Sequence, residues 1–290
     1  MNLKWIGRCS KKIFLGVSER EILFTDRDET LKITVIRMGN EETINIQGDV
    51  EVDYAVKILF LFLRLDNLFD GFFIKPEKII IDGKNSPRYL KNWLPFYKSA
   101  QVMDCLSYQG SEWSEIFKRW INLDNSLGII HNMFLYANYS EDLTPDVKCA
   151  LILQTFEPLA DDLIDKEYIK IDAKESQRIC KNCGNITKQK TKITLADKLI
   201  CIMETFGKDI FVKENIAHLA KMAKNTRNKI VHLDRDKKET LSGKQTGCYY
   251  FKFNLLYRII IFRMLGINDE SIDKQIRQKS LSWKDEMLAI

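Results

Sequence analysis

The first part of the chain alternates short apolar runs with polar turns, a pattern that predicts β-strands. Residues of high β-propensity fill the segments "KIFLGV", "EILFT", "LKITVIR" and "TINIQ", and later "GFFI" and "KIIID". Between the two groups, a continuous apolar run predicts a helix over about Tyr54–Phe69. Gly83, Asn85 and Pro87 then predict a turn or linker at the end of this part.

Beyond about Trp93 the apolar residues recur at helical spacing and Gly and Pro become sparse, which predicts a helical bundle. Thr144 followed by Pro145 predicts a helix start, because Thr can cap a helix and Pro fits its first turn. The polar segment "RICKNCGNITKQKTK" predicts a loop between helices. The predicted fold class is therefore α+β, with a β-rich domain over residues 1–92 and an all-α bundle over 93–290.

One predicted helix, Lys213 to about Leu233, carries an unusual set of side chains near its end, in the segment "KNTRNKIVHLDRDKK". Steps of three and four define the stripe expected to be buried, which is Leu219, Met222, Thr226, Ile230 and Leu233. Asn228 and His232 lie on the opposite side of a helical wheel, and Arg227 lies at the flank of the stripe. We expect these three side chains to point away from the core, with Asn228 orienting the imidazole.

The distribution of charged residues along the chain indicates a candidate class of partner. The net charge of the 290-residue chain is only +5, but the segment Lys221–Lys238 carries seven basic residues against Asp234 and Asp236. The segment Arg178–Lys192 is basic without any acidic residue. Phosphate-bearing partners are therefore plausible, and five residues are expected to attract RNA, namely Lys224, Lys229, Arg235, Lys237 and Lys238.

The sequence also predicts where the protein acts. The N-terminal segment "MNLKWIGRCSKK" shows no secretory signal, and the longest apolar run, Ile58–Leu63, is far shorter than a membrane span of roughly 20 residues. We expect a cytoplasmic protein without membrane contact. The seven cysteines, an odd number, are then expected to be reduced thiols.

Arg227, Asn228 and His232 have the chemistry of a minimal ribonuclease site that needs no metal. A histidine titrates near neutral pH and can exchange the proton of a ribose 2′-hydroxyl. An arginine offers a permanent charge to the phosphate as negative charge grows on it. The alternative for such residues is a solvated basic helix end with an exposed histidine.

The segment "RNKIVH" resembles the motif of ribonucleases of the HEPN superfamily, which are small helical bundles. The run "LICIMETFGKDIFVKENIAHLAKMAKNTRNKIVHL" and the later apolar helix "GCYYFKFNLLYRIIIFRMLGI" are similar to the Apea-like branch of anti-phage proteins. This resemblance implies a metal-independent endoribonuclease that cuts cellular RNA in abortive infection, with Arg227, Asn228 and His232 as catalytic residues. It implies a supporting role for Glu157 and no cofactor needed for catalysis.

The resemblance further implies a homodimer, or a higher assembly of dimers, and an N-terminal sensor or regulatory domain that answers to a phage-derived trigger. The chain departs from the pattern at two places. Pro158 follows Glu157 directly and predicts a bend or end in that helix. No tyrosine follows in "HLD", so regulation through a modified tyrosine is not expected.

The sequence also allows two kinds of metal chemistry. Cys180 and Cys183 form half of a zinc knuckle, to which Cys201, Cys248 or His218 could add ligands, and such a zinc would be structural. An acidic run could be the cluster of a metal-dependent nuclease, and it comprises Glu157, Asp161, Asp162, Asp165 and Glu167. The alternatives to catalysis are a non-catalytic HEPN module that binds RNA or protein, and a zinc-dependent nucleic-acid adaptor.

Overall fold

The N-terminal part of the chain forms a six-stranded antiparallel sheet in the computed structural model, with the strand order β2-β3-β4-β1-β6-β7. The structure describes residues 1–282 apart from 9–16, 27–28, 75, 91–99, 102, 104, 109, 173–174, 180–185, 191 and 237. The strands of this sheet are β1 (Asn2–Arg8), β2 (Val17–Asp26), β3 (Glu29–Met38), β4 (Glu41–Gln47), β6 (Pro76–Ile81) and β7 (Lys84–Asn85). A second, two-stranded sheet pairs β5 (Phe72–Phe73) with β8 (Ala100–Gln101).

One face of the large sheet is covered by helix α1 (Val52–Asp70), which packs on β1 and β4. Alternate residues of the strands, such as Leu3 and Trp5, are fully buried beneath it. Gly71 ends the helix with a φ of 67°, and a Cβ there would lie 2.3 Å from the Met103 carbonyl oxygen. Glycine is therefore required at this position.

The remaining helices are α2 (Trp113–Tyr139), α3 (Pro145–Asp165), α4 (Leu195–Phe206), α5 (Ile216–Val231), α6 (Gly243–Met264) and α7 (Glu270–Ser282), with a short 3-10 helix over Pro87–Leu90. Helices α3, α4 and α5 pack against one another. Phe253 and Tyr257 of α6 lie against Phe156 of α3. Within the described residues, no helix is both long and apolar enough to cross a membrane.

These elements confirm the predicted fold class of an N-terminal β-rich part followed by a helical part. The predicted strands "EILFT", "LKITVIR" and "TINIQ" lie within β2, β3 and β4, "KIIID" overlaps β6, and "GFFI" contains β5. Most of "KIFLGV" lies outside the described residues. Thr144 directly precedes α3 and Pro145 begins it, as predicted, although the Thr144 side chain makes no capping hydrogen bond. The loop expected in the helical part is wrong, because β9 (Glu175–Ile179) and β10 (Ile186–Lys190) pair there as a hairpin.

The chain divides into two compact units. The first contains Met1–His131, Asn138–Leu143 and Ile261–Gln275, and the second contains Asn132–Ala137, Thr144–Ile260 and Ile276–Ile290. The first unit thus includes residues on both sides of the predicted boundary between residues 92 and 93. That boundary stays a prediction, and the candidate site described next lies within the second unit.

Candidate functional site

The candidate site lies at the C-terminal end of α5. The Asn215 side chain caps the other end of this helix by accepting a hydrogen bond from the His218 backbone N–H at 3.1 Å. At the C-terminal end, His232 is the first residue outside the helix, and its N–H donates to the Asn228 carbonyl at 3.0 Å. Leu233 follows with a φ of 54° and is 78% exposed. The imidazole of His232 is therefore held at an exposed helix end.

The buried face of α5 is wider than its predicted stripe. Leu219, Met222 and Thr226 are buried as expected, but Arg227 is buried too, with only 8% of its side chain exposed. The expectation that Arg227 points away from the core is therefore wrong. The reason is that α5 packs against both α3 and α4, so its buried arc extends beyond one stripe.

Two further expectations about this helix also fail. Ile230 is only partly buried, and Leu233 is exposed instead of completing the stripe. Helix α5 ends at Val231, so the helical periodicity that places Leu233 inward no longer applies there. The exposure of His232 does agree with its predicted position.

The guanidinium of Arg227 connects the residues of the site. Its Nη1 donates to Asn228 Oδ1 at 3.0 Å and contacts His232 Nε2 at 2.7 Å. Its Nη2 forms an ion pair with the Glu157 carboxylate. Arginine only donates hydrogen bonds, so His232 Nε2 accepts and the ring is the neutral tautomer with its proton on Nδ1. The contact that orients the imidazole thus comes from Arg227, whereas Asn228 binds Arg227.

Glu157 reaches this cluster from α3, 70 residues earlier in the chain. Helix α3 continues to Asp165 with Pro158 inside it, so the helix does not end at the proline. The side chain of Glu157 is 39% exposed, whereas that of its partner Arg227 is buried. The expectation that Glu157 supports the site therefore has a geometric basis in this ion pair.

A residue that sequence reasoning missed, Lys198 of α4, contacts α3 beside Glu157. Its Nζ donates to Asp161 Oδ1 at 2.6 Å and to the Glu157 carbonyl at 3.3 Å. Lys198 is buried, although a lysine in the first turn of a helix would normally be taken for a solvated residue. Nothing in the sequence pattern indicates its contact, because Lys198 and Asp161 are 37 residues apart.

The basic residues expected to attract RNA are mostly accessible. Lys229, Arg235 and Lys238 are exposed, and Lys224 is partly buried. Lys237 lies outside the described residues. Charged groups therefore lie before and after His232 along the chain and are available to phosphates.

The acidic run meets basic partners rather than converging on a metal position. Glu157 pairs with Arg227, Asp161 with Lys198, and Asp162 with Lys166. These ion pairs favour the interpretation of the run as a set of surface and inter-helix contacts. The cysteines Cys180 and Cys183 lie outside the described residues, so the zinc site stays a prediction.

Within the described residues, one group of carboxylates is close enough to hold a cation, namely Glu42, Asp66 and Asp70 of the first unit. Arg37 forms ion pairs with all three. Burial raises the pKa of Glu42 and of Asp70 above the usual range of carboxyl groups, while Arg37 acts in the opposite direction. The guanidinium thus supplies the positive charge that a metal would otherwise bring.

The candidate site lies in a part of the chain that matches a known protein family. The comparisons with curated proteins and with solved structures each found no match. The sequence model of the Apea-like HEPN family matches residues 151–271. The matched range contains Glu157, Lys198, Arg227 and His232, and it covers α4 and α5 completely. Residues 151–271 of this chain are therefore similar to the Apea-like HEPN family.

Proposed function

We propose that the protein is a metal-independent endoribonuclease of the HEPN type. It cleaves cellular RNA in the cytoplasm as the toxin of an abortive, anti-phage response. The observation that carries this proposal is the contact between Arg227 and His232 at the exposed end of α5, anchored by Glu157. These three residues lie within the part of the chain that matches an Apea-like HEPN domain.

In the proposed reaction, His232 exchanges protons with the reacting oxygens of RNA. Attack of the ribose 2′-oxygen on the phosphorus breaks the bond to the 5′-oxygen and leaves a 2′,3′-cyclic phosphate and a 5′-hydroxyl. A positioned acid or base of this kind contributes about 100- to 10,000-fold in rate. The positive charge of Arg227 stabilises the growing charge on the phosphate, and Asn228 holds Arg227 in place.

The hydrogen bond from Arg227 limits how His232 can begin this reaction. Nε2 accepts from Arg227 Nη1, so its lone pair is already used. Removal of the 2′-hydroxyl proton by Nε2 requires the guanidinium to release that lone pair. The Nδ1–H of the neutral ring can donate a hydrogen bond, but it is too weak an acid to transfer its proton while Nε2 remains occupied. We therefore propose that the contact loosens when RNA binds, in the manner of catalytic hydrogen bonds that realign in the substrate complex.

The proposal is tested by incubating purified protein with labelled single-stranded RNA in excess EDTA. We expect cleavage to continue, with cyclic phosphate and 5′-hydroxyl ends on the products. Raising the salt from about 50 to about 200 mM is expected to weaken RNA binding roughly 20- to 100-fold, the loss for about three to five phosphate contacts on a single strand. Cleavage that returns only on adding magnesium would instead favour the acidic run.

A non-catalytic module that binds RNA or protein is the second candidate. The Arg227 contact with Nε2 favours it, because that contact occupies the atom that a general base would use. The same assay separates the two candidates, since a binding module retains RNA affinity in EDTA without producing new ends.

We further propose that the active form is a homodimer, or a higher assembly of dimers, in which the ends of α5 face one another. Val231 is 39% exposed and Leu233 is 78% exposed, so apolar side chains flank His232 on both sides. Apolar surface beside a polar site is typical of an interface. Sedimentation at the concentrations of the cleavage assay should show a dimer, and full specific activity of a monomer would contradict this assembly.

The N-terminal part is proposed to sense a phage product and to regulate the helical part. Support for this role comes from the resemblance to anti-phage proteins alone. The ion pairs of Arg37 with Glu42, Asp66 and Asp70 carry no part of this proposal.

A further inference from the structure

Lys198 occupies a position that is electrostatically unfavourable for a lysine. It is the fourth residue of α4, close to the N-terminal end where the helix dipole favours negative side chains such as Asp197 of the capping box. Its side chain is only 9% exposed, so its ammonium group is also largely removed from water. Helix stability therefore gives no reason for a lysine at this position.

The two partners of Lys198 do not compensate fully for its burial. Asp161 is 58% exposed, and an ion pair with such an exposed carboxylate contributes little to stability. The second partner is the main-chain carbonyl of Glu157. This contact is specific to one place in α3, the turn that carries the Glu157 side chain.

That turn of α3 is held less firmly by its own backbone than the turns around it. Pro158 has no N–H, so the carbonyl of Gln154 cannot receive the usual bond from four residues later. The hydrogen bond from Lys198 to the carbonyl of Glu157, the residue before Pro158, adds a restraint where the helix has lost one. The Glu157 side chain extends from this turn. Its carboxylate forms an ion pair with Arg227, and Arg227 in turn contacts His232.

We propose that Lys198 is a positioning residue of the site. It fixes the Glu157 turn of α3, so that Glu157 holds Arg227 and Arg227 holds the His232 ring with Nε2 as acceptor. The chain of contacts runs from α4 through α3 to α5, entirely within the second unit. Its effect on cleavage rests on the proposed ribonuclease function, whereas its effect on the imidazole does not.

The test replaces Lys198 by methionine and, separately, by glutamine, and uses Asp161→Asn as the matched control. The control removes the exposed partner of Lys198 but keeps its bond to the Glu157 carbonyl. The readout is the tautomer of His232 from the nitrogen-15 shifts of its imidazole, with His232→Ala used only to assign the signals. We expect the Nδ1–H share to fall in both Lys198 variants and to stay unchanged in Asp161→Asn.

Kinetics supply a second readout. We expect kcat to fall about tenfold in Lys198→Met with KM unchanged, because Glu157 then no longer holds the Arg227 charge in place for the phosphate. A tenfold effect lies in the middle of the range for residues of one hydrogen-bond network. In the Glu157→Gln background, Lys198→Met should add no further loss, because its effect passes through Glu157. A general structural defect would lower activity equally in both backgrounds.

The outcomes separate this inference from the proposed function. If the wild-type protein does not cleave RNA but the His232 tautomer changes on loss of Lys198, the positioning role stands and the ribonuclease proposal falls. An unchanged tautomer in a folded Lys198 variant overturns the positioning role, whatever the cleavage assay shows. Glutamine is one bond shorter than lysine and loses the contact with the Glu157 carbonyl, but it keeps a polar side chain, so this variant decides the question if the methionine variant does not fold.

Discussion

Replacing His232 by alanine is expected to lower kcat for RNA cleavage by about 100- to 10,000-fold and to leave the fold unchanged. The loss follows from removal of the group that exchanges protons with the reacting oxygens. The fold should persist because the side chain is exposed and the backbone N–H of residue 232 still caps α5. Such exposed substitutions usually change stability by no more than about 0.5 kcal/mol.

A matched control exists on the same helix. His218 is exposed in the first turn of α5, and its backbone N–H, not its ring, makes the capping bond to Asn215. His218→Ala should therefore keep both full cleavage activity and the melting temperature. Loss of activity in this control, or retained cleavage in the His232→Ala protein, would remove the proposed chemistry.

Replacing Arg227 by alanine should reduce both activity and stability. The guanidinium is buried and contacts Glu157, Asn228 and His232, so its removal breaks three contacts and leaves a void beneath α5. Glu157 is partly exposed and can regain water, which keeps the expected loss near 2–3 kcal/mol rather than that of a fully buried pair. Denaturant unfolding measures this loss.

Lysine at the same position separates the two effects. Arg227→Lys keeps the charge but loses the planar fork that reaches several partners at once. We expect most of the stability to return, while cleavage stays at least about tenfold below wild type because His232 is no longer oriented. Arg235→Ala, at an exposed position just beyond α5, serves as the stability control. An Arg227→Ala protein as stable as wild type would contradict the buried role.

Much of the sheet could be predicted from local patterns, and one central strand could not. The alternation of apolar and polar residues identified β3 and β4 because it extends over a full strand. Strand β1 was missed, although it lies between β4 and β6, because its buried positions are only Leu3, Trp5 and Gly7, and glycine gives no apolar signal. The hairpin β9–β10 carries few apolar residues, so no periodic signal distinguishes it from a loop.

The site could be predicted only in part. The spacing of Arg227 and His232 identifies residues at one helix end, and the structure brings them together. The orientation of Arg227 could not follow from a helical wheel, because it depends on two neighbouring helices that cover α5. Lys198 was not predictable for the same reason, since its partners come from a distant part of the chain.

Leu233 makes the end of α5 energetically unfavourable in its exposed state, both through its backbone conformation and through its side chain. Its left-handed backbone costs an ordinary residue roughly 1–2 kcal/mol, and its side chain is left in water. A surface that covers Leu233 would regain about 1.5–3 kcal/mol of hydrophobic free energy, within one residue of the imidazole. Thermodynamic linkage then makes the two events reciprocal. If binding of the covering surface shifts the conformational equilibrium of the Leu233 turn by some factor, then a change that shifts this turn alters the affinity for the surface by the same factor.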